Sequence, residues 1–151
     1  ARSSVRAAIN TPAPALSLPD LHGNTVDLHT VAGKNKLVLL NFWATWCAPC
    51  RMEMSQFEKI YKKKKSEGFE ILAVNVEEDM ETVRTYLART HLSFPILLDV
   101  DGKAGESYGV RAFPTSVLID SRGNVVQVFE GINDYLEFQI DHHLKKTSKD
   151  D

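Results

Sequence analysis

This chain of 151 residues has a small net charge, no long hydrophobic run and only two cysteines. The formal net charge is only -2, so electrostatics give no reason to expect nucleic acid or an anionic membrane as a partner. No stretch approaches the roughly 18 consecutive apolar residues that a transmembrane helix needs. With only two cysteines in the chain, no further thiol is available for a structural bridge.

The two ends of the chain differ in composition from its middle. The first residue is alanine, and no apolar segment typical of a signal peptide follows it. We therefore expect a processed or trimmed segment, so a missing export signal or membrane anchor says nothing about the compartment. Residues 1–14, rich in Ala, Ser, Arg and Pro, are expected to form a flexible lead-in. We expect one domain over residues 15–145 and a charged tail over residues 146–151.

Hydrophobic patterning predicts alternating strands and helices along this domain. A turn sequence between two short alternating stretches, Leu16–Leu18 and Val26–Leu28, predicts a β-hairpin near the start. The continuous apolar run Leu37–Trp43 is typical of a strand buried on both faces. Further strands are predicted over residues 69–76, 94–98, 115–119 and 125–129, and helices over 49–67, 79–90, 103–108 and from 133 onward. This order predicts an α/β domain with a mixed sheet and helices on both faces.

The two cysteines lie three positions apart, in Trp46-Cys47-Ala48-Pro49-Cys50, between a predicted strand and a predicted helix. A dithiol with this spacing at a helix start is typical of thiol–disulfide exchange. The free N–H groups and the dipole of the helix end favour a thiolate. We expect Cys47 to be the exposed nucleophile that forms a mixed disulfide, and Cys50 to be the thiol that resolves it.

Two metal-based interpretations of the cysteine pair fail on spacing. Half of a zinc site would need two more ligands, and none of the five histidines has a His-x3-5-His spacing. Attachment of a c-type haem would need histidine after Cys50, where the chain has Arg51. We therefore expect neither a metal nor another cofactor.

Two segments far apart in the chain resemble one known fold. Residues 42–50, which end in Cys47-Ala48-Pro49-Cys50, closely resemble the active-site segment of thioredoxin-fold proteins. Phe113-Pro114-Thr115 resembles the cis-proline loop of that fold. The N-terminal hairpin and the continuation Arg51-Met52-Glu53 resemble the TlpA/ResA-like extracytoplasmic thiol–disulfide oxidoreductases. The resemblance implies a thioredoxin-like three-layer α/β/α fold, with a mixed central sheet and an N-terminal β-hairpin extension.

The resemblance also implies roles for residues around the dithiol. Pro114 would be cis and lie against the sulfurs, where neighbouring backbone groups pair with a substrate strand. Phe113 would touch substrate and tune the reduction potential, although a purely apolar core role is the competing interpretation. Trp46 would flank Cys47 as an exposed aromatic surface, whereas Trp43 is expected to pack in the core.

Acidic residues near the dithiol have two possible interpretations each. Asn41 stands where thioredoxin has a buried aspartate, and it cannot titrate near neutral pH. Glu53 matches a cavity glutamate of the ResA-like branch that moves protons and discriminates substrates; a solvated glutamate stabilised by the helix dipole is the alternative. Glu77 and Glu78 follow a strand and could line a ligand cleft, but loop carboxylates that cap the next helix are the favoured interpretation.

We therefore expect a protein-disulfide reductase that works outside the cytoplasm as a monomer. Its partners would be an oxidised client protein, such as an apocytochrome c, and a membrane or periplasmic thiol donor of electrons. A membrane anchor would lie outside this segment. Two alternatives stay open: a disulfide oxidant or isomerase on the same scaffold, and a redox-sensitive domain that binds copper(I) through the dithiol. Nucleic acid is not an expected partner.

Overall fold

Five strands form one mixed sheet at the centre of the molecule, seen in a computed structural model that describes residues 7–150, with side chains as far as residue 146. The strands are β1 (Ser17–Pro19), β2 (Thr25–Asp27), β3 (Leu37–Trp43), β4 (Phe69–Val76), β5 (Ile96–Asp99), β6 (Thr115–Asp120) and β7 (Val125–Glu130). The helices are α1 (Leu28–Gly33), α2 (Ala48–Lys64), α3 (Met80–Leu87), α4 (Lys103–Ser107) and α5 (Leu136–Asp150), with a 3-10 turn at Lys65–Glu67.

The strand order of the central sheet is β5-β4-β3-β6-β7. Strands β3, β4 and β5 run parallel, whereas β6 is antiparallel to both β3 and β7. Strand β3 is buried at all seven of its positions, as its continuous apolar sequence predicts. β1 and β2 form a separate antiparallel pair ahead of the sheet, which is the predicted hairpin.

Alternate residues of β3 point into two apolar layers, one on each face of the sheet. Leu39 and Trp43 belong to the layer that contains both cysteines and the buried sides of α2, α3 and α5. Val38 and Leu40 belong to the opposite layer, which α1 and Tyr108 cover. The molecule is therefore a three-layer α/β/α structure of the thioredoxin type, as predicted.

The structure departs from the predicted hairpin at its second arm. Leu28 was expected to continue the strand, but it begins α1 and is fully buried. The Asp27 side chain ends the strand there, because it accepts a hydrogen bond from the Thr30 backbone N–H and so caps the helix. The patterning of Val26 and Leu28 alone could not distinguish the two outcomes.

The ends of the described chain are more ordered than their composition indicates. In the expected lead-in, Asn10 N–H donates to the Val125 carbonyl (2.7 Å) and Ala13 N–H donates to the Gly123 carbonyl (2.8 Å). Residues 7–14 thus lie against the β6–β7 hairpin, while residues 1–6 of the lead-in are outside the described part. Helix α5 continues through most of the expected tail. Within residues 7–150, no helix has the length and apolar character needed to cross a membrane.

Candidate active site

A tight turn carries the chain from the end of β3 to the start of α2. The Cys47 N–H donates to the Ala44 carbonyl (3.2 Å), which closes a four-residue turn. Cys47 has an extended backbone and is the N-cap of α2, with Pro49 in the first helical turn. Because β3 is a central strand, this turn holds the cysteines at the carboxyl end of the sheet, where α/β folds place their ligand clefts.

The two cysteines form a disulfide across the first turn of α2, with Cα atoms 5.3 Å apart. The Cys47 sulfur also accepts a hydrogen bond from the Cys50 N–H (3.3 Å), so a charge on that sulfur would face a free amide of the helix end. Cys47 is 5% exposed and Cys50 is 1% exposed. Both cysteines are therefore buried in the disulfide form. Cys47, which the sequence predicted to be exposed, is only slightly more exposed than Cys50.

An aromatic pair flanks the disulfide. Trp46 is 68% exposed, and its ring lies edge-on to the Phe113 ring with centroids 5.8 Å apart. The Phe113–Pro114 peptide bond is cis, as the resemblance predicts. Phe113 is partly buried and packs against both apolar layers, which confirms its core contacts, while its contact with substrate stays a prediction. Trp43 is fully buried, in agreement with its predicted core position.

Glu53 lies one helical turn after Cys50 and is only 3% exposed. Its Oε1 atom has no hydrogen-bond partner among the described residues. Burial raises the pKa of this carboxyl from an ordinary value of 4.5 to about 7, against a smaller opposite effect of a backbone hydrogen bond from Asn133. This burial contradicts the alternative of a solvated first-turn glutamate.

Asn41 is buried on the face of β3 that carries Leu39 and Trp43, and therefore lies in the layer of the cysteines. Its amide Nδ2 donates to the Ser116 hydroxyl (2.9 Å), while Oδ1 has no partner among the described residues. Its neutral amide gives the site no second titratable group at this position. Among the residues of α2, Glu53 is the one carboxyl that is buried.

Glu78 does not cap the following helix, so that interpretation is wrong. Asp79 is the N-cap of α3, because its Oδ1 accepts from the Thr82 N–H (2.8 Å). Glu78 instead accepts hydrogen bonds from Thr45, in the turn before the cysteines. Thirty-three residues separate these partners, and no local sequence signal connects them. Glu77 is exposed beside it, in a left-handed backbone conformation (φ 61°).

A metal centre has no further support from the described residues. Within them, no group of three or more His, Cys, Asp or Glu side chains is arranged to hold a metal ion. The disulfide at the N-terminus of α2 and the buried carboxyl one helical turn further on offer dithiol chemistry with a proton carrier on the same helix.

Known proteins resemble this chain over most of its length. The Redoxin family profile matches residues 8–139. Thiol-disulfide oxidoreductase ResA of Bacillus thuringiensis subsp. konkukian is 38% identical over 140 residues, which cover 93% of this chain and 79% of the relative. ResA of Bacillus subtilis is 39% identical over 130 residues, which cover 82% of this chain and 72% of that relative.

Solved structures agree with these relatives. A crystal structure described as a putative thiol:disulfide interchange protein DsbE from Chlorobium tepidum superposes with a TM-score of 0.83 at 30% identity, over 93% of this chain and 98% of that one. A solution structure described as a putative protein disulfide isomerase from Bacteroides thetaiotaomicron superposes with a TM-score of 0.84 at 29% identity, over 93% of this chain and 92% of that one. The sequence similarity, the fold and the Cys47–Cys50 pair agree, and the chain belongs to the Redoxin family as a ResA-like thiol–disulfide oxidoreductase.

Proposed function

We propose that the protein reduces disulfides of client proteins outside the cytoplasm, with Cys47 as nucleophile and Cys50 as resolving thiol. The observation that carries this proposal is the Cys47–Cys50 pair across the first turn of α2, with Cys47 at the N-cap. The helix N-terminus stabilises a thiolate there, which is the reactive form of cysteine. The similarity to proteins named thiol-disulfide oxidoreductase ResA supports the assignment.

The reaction proceeds in two exchanges. The Cys47 thiolate attacks one sulfur of the client disulfide; a new S–S bond joins Cys47 to the client, and the other client sulfur leaves as a thiolate. The Cys50 thiolate then attacks the Cys47 sulfur and releases the second client thiolate. The client gains two electrons and, once its thiolates are protonated, two protons. The protein is left with the Cys47–Cys50 disulfide found in the structure.

Glu53 is the proposed proton carrier of these exchanges. Cys50 is buried and must lose its proton before it can attack. Glu53 projects from the same side of α2, three residues further on, and its pKa of about 7 lets it accept or return a proton at neutral pH. The carboxyl oxygen without a partner is free to take that proton.

The proposed client surface consists of Trp46, Phe113 and Pro114. The exposed Trp46 ring offers flat apolar area beside Cys47, and Phe113 supports its edge. The backbone ahead of Pro114 belongs to no strand, so its amide and carbonyl groups can pair with an extended client segment that carries the disulfide. The protein would act as a monomer, and a membrane or periplasmic dithiol would reduce it again after each turnover.

The reduction potential of the Cys47–Cys50 couple tests the direction of electron flow. Equilibration in glutathione or dithiothreitol buffers measures it directly. A value at or below about -220 mV is expected and places the protein among the reductants of this chemistry. A value near about -120 mV would make it a disulfide donor and support the oxidant alternative. Titration of the reduced protein with copper(I) separates both from a metal-binding role, for which tight stoichiometric binding is required.

A further inference from the structure

The Glu78 carboxylate accepts three hydrogen bonds, two from Thr45 in the segment before the cysteines and one from Asn75 at the end of β4. Its Oε1 accepts from the Thr45 backbone N–H (2.8 Å) and from the Asn75 side-chain amide (2.8 Å). Its Oε2 accepts from the Thr45 hydroxyl (2.6 Å). All three partners donate to the carboxylate, and hydrogen bonds to a charged acceptor are the stronger class.

Thr45 is the second residue of the turn that delivers Cys47 to the start of α2. The turn is closed by the Cys47 N–H on the Ala44 carbonyl, and the Arg51 guanidinium donates to the Thr45 carbonyl (3.0 Å). The backbone N–H, the hydroxyl and the carbonyl of Thr45 are thus all hydrogen-bonded, the first two of them to Glu78. Trp46, the next residue, is 68% exposed, and its ring lies edge-on to the ring of Phe113. The position of Trp46 therefore depends on how firmly the backbone of Thr45 is held.

We propose that Glu78 is a positioning residue, which holds the Ala44–Cys47 turn and thereby fixes Trp46 as a preformed surface for protein clients. The inference rests on the proposed function of the dithiol, but adds a specificity role to a carboxylate from another strand end. A preordered aromatic side chain loses less conformational freedom when a client binds, which favours binding. A small disulfide needs little of this surface, so Glu78 acts mainly on reactions with proteins.

Three variants separate the hydrogen bonds of Glu78 from its charge. Glu78→Ala removes all three hydrogen bonds. Glu78→Gln removes the charge but can keep the geometry, because its carbonyl oxygen can accept from Thr45 N–H and Asn75 while its amide donates to the Thr45 hydroxyl. Glu77→Ala is the matched control, since Glu77 is the adjacent carboxylate, is exposed, and lies with its side chain beside Gly102.

The experiment compares the rate constant for reduction of insulin with that for reduction of Ellman's reagent, a small disulfide, by each fully reduced variant. In Glu78→Ala, the ratio of the two constants is expected to fall by up to about tenfold, the scale of the cost of ordering one side chain when a partner binds. Glu78→Gln and Glu77→Ala are expected to keep the wild-type ratio. Time-resolved fluorescence anisotropy adds a direct readout, because Trp43 is buried and the fast local motion comes from Trp46. We expect this fast component to grow only in Glu78→Ala.

Each outcome decides one claim. An unchanged ratio in Glu78→Ala overturns the inference, and equal losses in Glu78→Ala and Glu78→Gln overturn it in favour of a charge effect. If Glu78→Ala does not fold, Thr45→Val and Thr45→Ser replace it; only Thr45→Val lacks the hydroxyl bond, and equal ratios in the two overturn the inference. Failure of the wild-type protein to reduce insulin would contradict the proposed function itself, which keeps the two claims distinguishable.

Discussion

Replacement of Glu53 by glutamine is expected to remove part of the pH dependence of the unfolding free energy. Glu53 is buried, and burial raises the pKa of its carboxyl from 4.5 to about 7 in the folded protein. Between these two values the folded protein keeps a proton on Glu53 that the unfolded chain has released. The stability of the wild-type protein must therefore fall as the pH rises through this window.

The expected size of the effect follows from the two pKa values. Their difference, from 4.5 to about 7, is about 2.5 pKa units. At about 1.36 kcal/mol per unit, this amounts to about 3 kcal/mol of unfolding free energy lost between pH 4 and pH 8. Glutamine has nearly the shape of a protonated glutamate and no charge to bury. Glu53→Gln should therefore match the wild type near pH 4 and exceed it by about 3 kcal/mol near pH 8.

Urea denaturation of the oxidised proteins at a series of pH values measures this difference. Titratable groups that the two proteins share contribute equally to both and cancel in the comparison. Glu77→Gln is the matched control, since it removes an exposed carboxylate and should leave the pH profile unchanged. A constant difference between Glu53→Gln and wild type, or one that grows toward low pH, would refute the reasoning.

Other predictions follow from the same site. Cys47→Ser should abolish insulin reduction, and Cys50→Ser should accumulate a mixed disulfide with client on non-reducing gels; equal alkylation rates of the two thiols in the reduced protein would contradict this asymmetry. Glu53→Gln should also shift the pH dependence of cysteine alkylation, which stopped-flow measurements would follow. Trp46→Ala should change the unfolding free energy by no more than about 0.5 kcal/mol, because the side chain is exposed, and should raise KM for insulin. Asp99→Ala should lower the unfolding free energy by about 1–3 kcal/mol in urea titrations, because the buried carboxylate accepts from the Ala104 and Gly105 backbones; an unchanged midpoint would argue against that role.

Local sequence was sufficient for the elements whose stability is decided by their own residues. The strand Leu37–Trp43 is found with its predicted bounds, because a run that is apolar at almost every position fits only a strand buried on both faces. The strand 69–76 is likewise found as predicted. Helix α1 was missed because its first residues also suit a strand, and the choice depends on the Asp27 cap and on burial of Leu28.

The same distinction applies to the site. The dithiol could be predicted from sequence, because its chemistry depends on the spacing of Cys47 and Cys50 along one helix turn. Pro49 between them indicates the start of that helix. The raised pKa of Glu53 was only one of two interpretations, since nothing in the helix sequence says whether that side chain meets solvent or the core. Burial in the packed layer decides it, and it outweighs the opposite effect of the Asn133 backbone hydrogen bond on the pKa.

The sequence by itself thus determined the sheet's central strands, the exchange chemistry and the identity of the two reacting thiols, because each depends on residues that are neighbours in the chain. Tertiary structure alone decided the environment of those thiols. Thr45 contacts Glu78 because the parallel strands β3 and β4 end at the same edge of the sheet. Trp46 contacts Phe113 because β6, which is antiparallel to β3, begins at that edge. Contacts between residues 33 or more positions apart leave no periodic or local signal, so they appear only when the chain is folded.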